Sequence, residues 1–370
     1  MSVSLTLNRS AGAWRVGRAG RQRRVVCGAA VLALASSGVA FMGTPAGAAG
    51  VPTYSFIVVP HGGGGVGVDP KTDTIYESGA GTVSVIDGAT RKVTATIADS
   101  GKEPGYVAVD PTRDRIYVAN AGSGTVTVIN GKTNKVTHTT KVGHDPLGIA
   151  VNTKKNVVYV ANFGSNTVSV INGKNDHVTH TIKVRHHPNA VAVNVRKGTV
   201  YATFEGVPGS RSGATYYFHA GVAVISGRTN KVTRLVKPAE ESGSSAYGVA
   251  VDPTTDRVYV VFDYAYGAVV VLNGKTDKIR TTISVGSYPN MIALNPAKHL
   301  MYVGWSGADQ GGIKVSIVKT GTGRILGNYG EEQGQTGMAI DPATNRTYIS
   351  SNDLYLSGNY TNGLEVIHGT

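Results

Sequence analysis

Between residues 54 and 370 the chain is a succession of short apolar stretches separated by Gly, Asn, Asp and Pro. Within the stretches apolar and polar positions alternate, as in Thr125-Val126-Thr127-Val128-Ile129, and β-branched residues are enriched. That period belongs to strands, and pairs such as Asp87-Gly88 and Asn130-Gly131 predict tight hairpin turns between them. The stretches recur as one unit. It opens with an apolar triplet whose middle residue is small, then Asp or Asn and often Pro. Val/Ile-Tyr-Val follows, then a polar loop, Val-x-Val-Ile, Asn/Asp-Gly and Lys-Val-Thr. The triplets run from Val66-Gly67-Val68 and Val107-Ala108-Val109 to Met338-Ala339-Ile340. The anchoring tyrosines are Tyr76, Tyr117, Tyr159, Tyr201, Tyr259, Tyr302 and Tyr348, spaced by 41 to 58 residues.

Each unit predicts four strands, named a to d from the inside outward. Seven of them fit an all-β, seven-bladed β-propeller of four-stranded blades spanning residues 54–370 as a single domain. The last unit stops at its third strand, Gly363 to His368, while an orphan strand, Tyr54 to Pro60, precedes the first triplet. This N-terminal strand is expected to pair with the last blade and remove an open edge. The small residue of strand a is expected to leave room for the repeated Tyr or for crowding at the axis.

Composition narrows the class. With 49 Gly and 14 Pro in 370 residues, 41% apolar and 16% charged, the chain suits neither a helical bundle nor a disordered segment. Residues 1–48 change the picture of charge and compartment. They carry six Arg, no acidic residue and no Lys, then a small-residue apolar run from Val25 to Gly43, then Ala46-Gly47-Ala48. This is the pattern of a secretory signal peptide, followed by a short linker over 49–53, and it predicts a secreted protein with no membrane span in its mature form. Arg23-Arg24 suits the twin-arginine route, whereas the residues after the pair do not. Cleavage would remove Cys27, the one cysteine, leaving no disulfide chemistry. It would also leave 30 basic and 23 acidic residues, so the net charge of +13 overstates any case for nucleic acid.

Tyr117-Val118-Ala119-Asn120 with Thr125 to Gly131, and Tyr159-Val160-Ala161-Asn162 with Thr167 to Gly173, resemble the YVTN-type β-propeller repeat. The resemblance covers nearly all of residues 54–370. It implies the fold found in YncE-like secreted and periplasmic proteins and in surface-layer proteins. Similar seven-bladed rings also house lactonases and lyases, so the fold does not choose an activity, and no catalytic motif of those enzymes transfers residue by residue.

The implied topology puts the d–a and b–c loops on one face, the top, and the a–b and c–d loops on the other. The bottom loops hold 21 basic and 10 acidic residues, from Lys71 and Arg91 to Arg324 and Arg346. Such a face suits DNA or an anionic cell-envelope polymer, although Lys in these turns also belongs to the repeat and keeps turns soluble. The top departs from the repeat. Three residues after each Tyr the column reads Gly79, Asn120, Asn162, Phe204, Phe262, Trp305, Ser351. Blade four inserts Gly206 to Ala220, with Tyr216-Tyr217-Phe218, and blade five carries Tyr264 and Tyr266. Tyr288 lies in a d–a loop. With Trp305 these aromatics suit stacking on a sugar, a planar ligand or a peptide side chain, or alternatively cover strand ends. His61, His144, His186 and His187 fall in successive d–a loops near the axis, where imidazoles could bind metal or act as acid–base groups, although their spacing matches no metal motif. His61-Gly62-Gly63-Gly64-Gly65 lacks the helix or nucleophile elbow of a phosphate or oxyanion loop and reads as a flexible joint. Asp-Pro-x-x-Asp segments read as ordinary turns rather than Ca²⁺ loops.

The sequence therefore predicts a monomeric, secreted binding protein without a cofactor, its protein, peptide or glycan partner docking over blades four to six. A lactonase- or lyase-type enzyme using the top histidines, and a polyanion binder using the basic bottom, are the rival expectations.

Overall fold

The computed structural model describes residues 53–98, 101–211, 214–218, 220–238, 245–263, 267–306, 313–329, 333–356 and 359–369. The predicted signal segment, most of the linker, and Tyr264 and Tyr266 lie outside them. Seven four-stranded antiparallel sheets form the blades, and a two-stranded hairpin, Val207–Arg211 with Ala214–Phe218, is inserted in blade four. The innermost strands are Val66–Asp69, Pro104–Asp110, Pro146–Asn152, Pro188–Asn194, Ala246–Asp252, Pro289–Asn295 and Gln333–Asp341. Each touches the next, and the last touches the first, so the ring is closed.

Closure occurs as the sequence predicts. Thr53–Val58 pairs antiparallel with Asn359–His368 as the outermost strand of blade seven, from Thr53 opposite His368 to Val58 opposite Gly363. Ser55 Oγ lies 3.0 Å from His368 Nε2. Ile57 and Val59 are buried with Val66 and Ile75 of blade one and with Tyr348, Leu364 and Val366 of blade seven.

All seven anchoring tyrosines are buried. In register, each sits opposite the small residue of strand a: Tyr76 opposite Gly67, Tyr117 opposite Ala108, Tyr159 opposite Ala150, and so on to Tyr348 opposite Ala339. The ring then packs into the next blade, as Tyr117 does with Ile149, Val158 and Ile171. The small residue thus makes room for the repeated Tyr, the first of the two expected reasons.

Two expectations need correction. Strict alternation survives poorly in strands b and c, whose inner residues are buried on both faces, as in Arg115–Asn120 and Thr125–Asn130. The reason is that each blade is sandwiched between two others, so both faces of its central strands lose water. The Asn-Gly turns are also not two-residue hairpin turns. Their left-handed residue comes four positions after the Asn or Asp, at Arg91, Asn134, Asp176 and Asp277, and in blade four after Ser226, at Asn230. There the N–H returns to the first residue's carbonyl, as from Asp176 to Asn172 at 2.8 Å. The glycine serves close approach instead. A Cβ on Gly131 would lie 3.0 Å from the Tyr76 hydroxyl of the preceding blade, and one on Gly227 would lie 2.7 Å from that of Tyr159. Its N–H donates to the left-handed residue of the a–b turn in the same blade, as from Gly131 to Asp114 at 2.7 Å and from Gly274 to Asp256 at 2.7 Å.

Candidate functional site

The a strands enclose a central channel with a cavity of about 350 Å³. Its wall is mostly apolar, with Val66, Tyr106, Leu147, Tyr247, Met291 and Met338, and it includes the amides of Asn189 and Asn290. Around its upper mouth the d–a and b–c loops are stitched by backbone bonds. Ala121, Phe163, Glu205 and Asp263 donate their N–H groups to the carbonyls of Glu103, Asp145, His187 and Ser245 at 2.9 to 3.2 Å. These bonds place both loop types at one end, as predicted.

The column three residues after Tyr has a partner column on strand c. Asn120 Nδ2 donates to Thr127 Oγ1 and Asn162 Nδ2 to Ser169 Oγ, both at 2.9 Å. Trp305 keeps this role, its indole N–H donating to Ser316 Oγ at 2.9 Å. In blades four and five the partner positions are Ala223 and Val270, and Phe204 and Phe262 fill the column, each 1% exposed. Donor goes with hydroxyl and apolar ring with apolar side chain. Phe204 and Phe262 are therefore core residues that cover strand ends.

One residue further on, the column reads Ala121, Phe163, Glu205, Asp263 in blades two to five. Glu205 is 4% exposed, and its Oε1 accepts from Asn189 Nδ2 at 3.3 Å, while that amide also donates to the Ala246 carbonyl at 3.2 Å. His187 Nδ1 lies 3.5 Å from Glu205 Oε2, and the His187 ring stacks on Phe163 at 4.6 Å. Asp263 is half-buried. Burial, and then the charge of Glu205, push its carboxyl up to about 6. Glu205, His187 and Asn189 thus meet beside the cavity that Asn189 lines, and Asp263 of blade five lies near enough for the charge of Glu205 to act on it. Sequence reasoning passed over Glu205 and Asp263. The signal was present as two carboxylates at the same repeat offset in adjacent blades.

The predicted site residues are distributed as follows. Tyr216, Tyr217 and Phe218 lie on the second strand of the inserted hairpin, opposite Gly209, Pro208 and Val207. Tyr288 is 39% exposed, with a left-handed backbone at the tip of its d–a loop. Trp305 is half-buried against Gly286, where an added Cβ would overlap its ring. Of the four predicted histidines, His186 and His187 meet, with ring centroids 6.5 Å apart, while His61 and His144 are exposed in loops of other blades. Among the described residues no three His, Cys, Asp or Glu side chains are grouped to hold a metal ion. Nor is any helix there long and apolar enough to cross a membrane.

Several bottom-face cations have structural partners. Arg115 donates to the Gly173 carbonyl, Lys155 to Gly227, Lys197 to Gly274, Arg257 to Thr320 and Arg346 to Gly88, at 2.7 to 3.3 Å. Each reaches from one blade to the c–d turn of the next. Arg115 also pairs with Asp176, Lys197 with Asp256 and Arg346 with Asp73. The Asp-Pro segments are turns, as expected: Asp110 Oδ1 accepts from the Thr112 N–H at 3.0 Å, and Asp252 Oδ1 from that of Thr254 at 2.8 Å.

The glycine run is a packed joint rather than a loose one. Gly63 donates to Glu77 Oε1 at 3.0 Å and Gly65 to Ser78 Oγ at 2.8 Å, and a Cβ on Gly65 would lie 2.5 Å from the Gly105 carbonyl. Glu77 is buried at this seam and accepts from Ser350 Oγ of blade seven at 2.6 Å. Burial pushes its carboxyl up to about 7 against those two hydrogen bonds.

With this geometry in hand, similarity to known proteins can be placed. No curated protein matches the chain. Among solved structures, a chain of Kuenenia stuttgartiensis hydrazine synthase superimposes with a TM-score of 0.69 over 89% of this chain and 99% of its own, at 20% identity. That likeness concerns the fold alone. Residues 74–202, blades one to three and the start of four, match the family described as lactonase, 7-bladed β-propeller, and so the chain is similar to that family across this part of its seven-bladed ring.

Proposed function

We propose that the protein is an exported recognition propeller that takes a ligand at the upper channel mouth, over blades four to six. One observation carries this reading. The repeat is broken at the same offset in two adjacent blades by Glu205 and Asp263, beside a mostly apolar cavity large enough for a small ligand or a side chain. Tyr216, Tyr217, Phe218, Tyr264, Tyr266 and Tyr288 are the candidate stacking residues that the sequence supplies in blades four to six, and Trp305 supports a strand end there. The Tyr-Val-Ala-Asn repeats support a YncE-like affiliation, and the Arg-rich leader supports export. A glycan and peptide array tests the reading. Binding should weaken at least tenfold when Tyr264 and Tyr266 both become Ala, and an array with no ligand, or unchanged binding, removes it.

The family match favours a second reading, lactone opening. His187 and Glu205 would then act together as the base that activates water. Turnover of five- and six-membered lactones, lost in His187→Gln, would establish it, and silence across such a panel would retire it.

A further inference from the structure

We infer that the mouth between blades four and five takes a positively charged donor group, a primary ammonium or a guanidinium on an apolar stem. The inference rests on the recognition reading above and names its ligand class. Glu205 is more than nine-tenths buried, and its Oε2 has no hydrogen-bond partner. Oδ1 of Asp263 is buried without a partner as well, and so is Oδ1 of Asn290 on the blade-six side of the cavity wall. Each of these atoms is an oxygen acceptor. What they lack is therefore a donor, and the carboxylates lack a positive charge.

The described residues supply no permanent cation, only an imidazole. No Lys or Arg pairs with Glu205 or Asp263 there, and the nearest partner is the His187 imidazole at 3.5 Å. Among the described residues the charged neighbour of Asp263 is Glu205, and it repels. A bare metal ion is disfavoured because the described residues hold no third ligand in place. An organic cation fits better. Its stem would lie along Leu147, Tyr247 and Met291, and aromatic faces near a cation add to the attraction.

Calorimetric titration of the full chain tests this with hexylammonium against its neutral isostere hexan-1-ol. A capped Ala-Lys-Ala peptide is compared with the same peptide acetylated on lysine. We expect hexylammonium to bind at least tenfold more tightly than hexanol, and the preference to vanish in Glu205→Gln and in Asp263→Asn. Equal binding of amine and alcohol overturns the charge assignment and leaves the recognition reading standing. No binding by any of the four overturns the cation assignment, and the array then decides the recognition reading by itself. If a variant unfolds, the amine-to-alcohol ratio in the unaltered protein still decides. A lysine peptide bound far more tightly than the free amine supports the inference with a polypeptide as the source, and the reverse order supports it with a small metabolite.

Discussion

A buried Glu77 with no cation beside it makes stability depend on pH at the seam between blades one and seven. Its folded value of about 7 lies above the ordinary 4.5, so the native state holds the proton longer than the unfolded chain. Stability from this group is therefore greatest below about pH 4.5 and is lost as pH rises to about 7. We expect Glu77→Gln to gain on the unaltered protein by roughly 3 kcal/mol between pH 4 and 8, measured by urea unfolding at each pH. A constant difference across that range would show that Glu77 does not carry the effect. A second prediction concerns the paired columns. Asn162→Phe alone leaves the Ser169 hydroxyl without its donor and should cost about 1–3 kcal/mol. Adding Ser169→Ala, which copies blade four, should recover part of that loss, whereas strictly additive costs would contradict the pairing. None of this was legible along one strand. The donor and its hydroxyl lie on neighbouring strands, and only a comparison of two columns across blades exposes the rule. Burial at the seam depends on Ser350, 273 residues away from Glu77.

At the scale of the element, the sequence conveyed more. The Tyr anchors, the small partner in strand a and the missing last strand followed from periodicity, because one repeated environment imposes one repeated pattern. Ala150 faces Tyr159 directly and packs against the Val191 and Val200 cluster. Ala150→Phe should therefore cost about 1–3 kcal/mol by overpacking, read as a lower melting temperature, and an unchanged melting point would argue against the packing described. The turns were less legible. Gly after Asn suggests a hairpin turn by local rules, but here the glycine answers to a tyrosine hydroxyl arriving from another blade. Local propensity could not reveal a contact that exists only once the blades stack.

For the whole molecule, closure and charge give two further tests. Removing residues 54–60 should lower the stability of the entire ring in a single transition, because Ile57 and Val59 join the cores of blades one and seven. Fraying of blade seven alone would show that the ring tolerates an open edge. Any DNA retention by the bottom face should fall steeply with salt, since exposed Lys132, Lys174 and Lys275 would carry it while Arg115 and Arg346 stay bound within the ring. Salt-insensitive retention would contradict a polyanion mode. The pairing of Ser55 with His368 bridges 313 positions. During synthesis Thr53–Val58 must wait for Asn359–His368, so the ring stays unlatched until that later strand has been made. A ring built this way stays open for as long as either of its two end strands is held back.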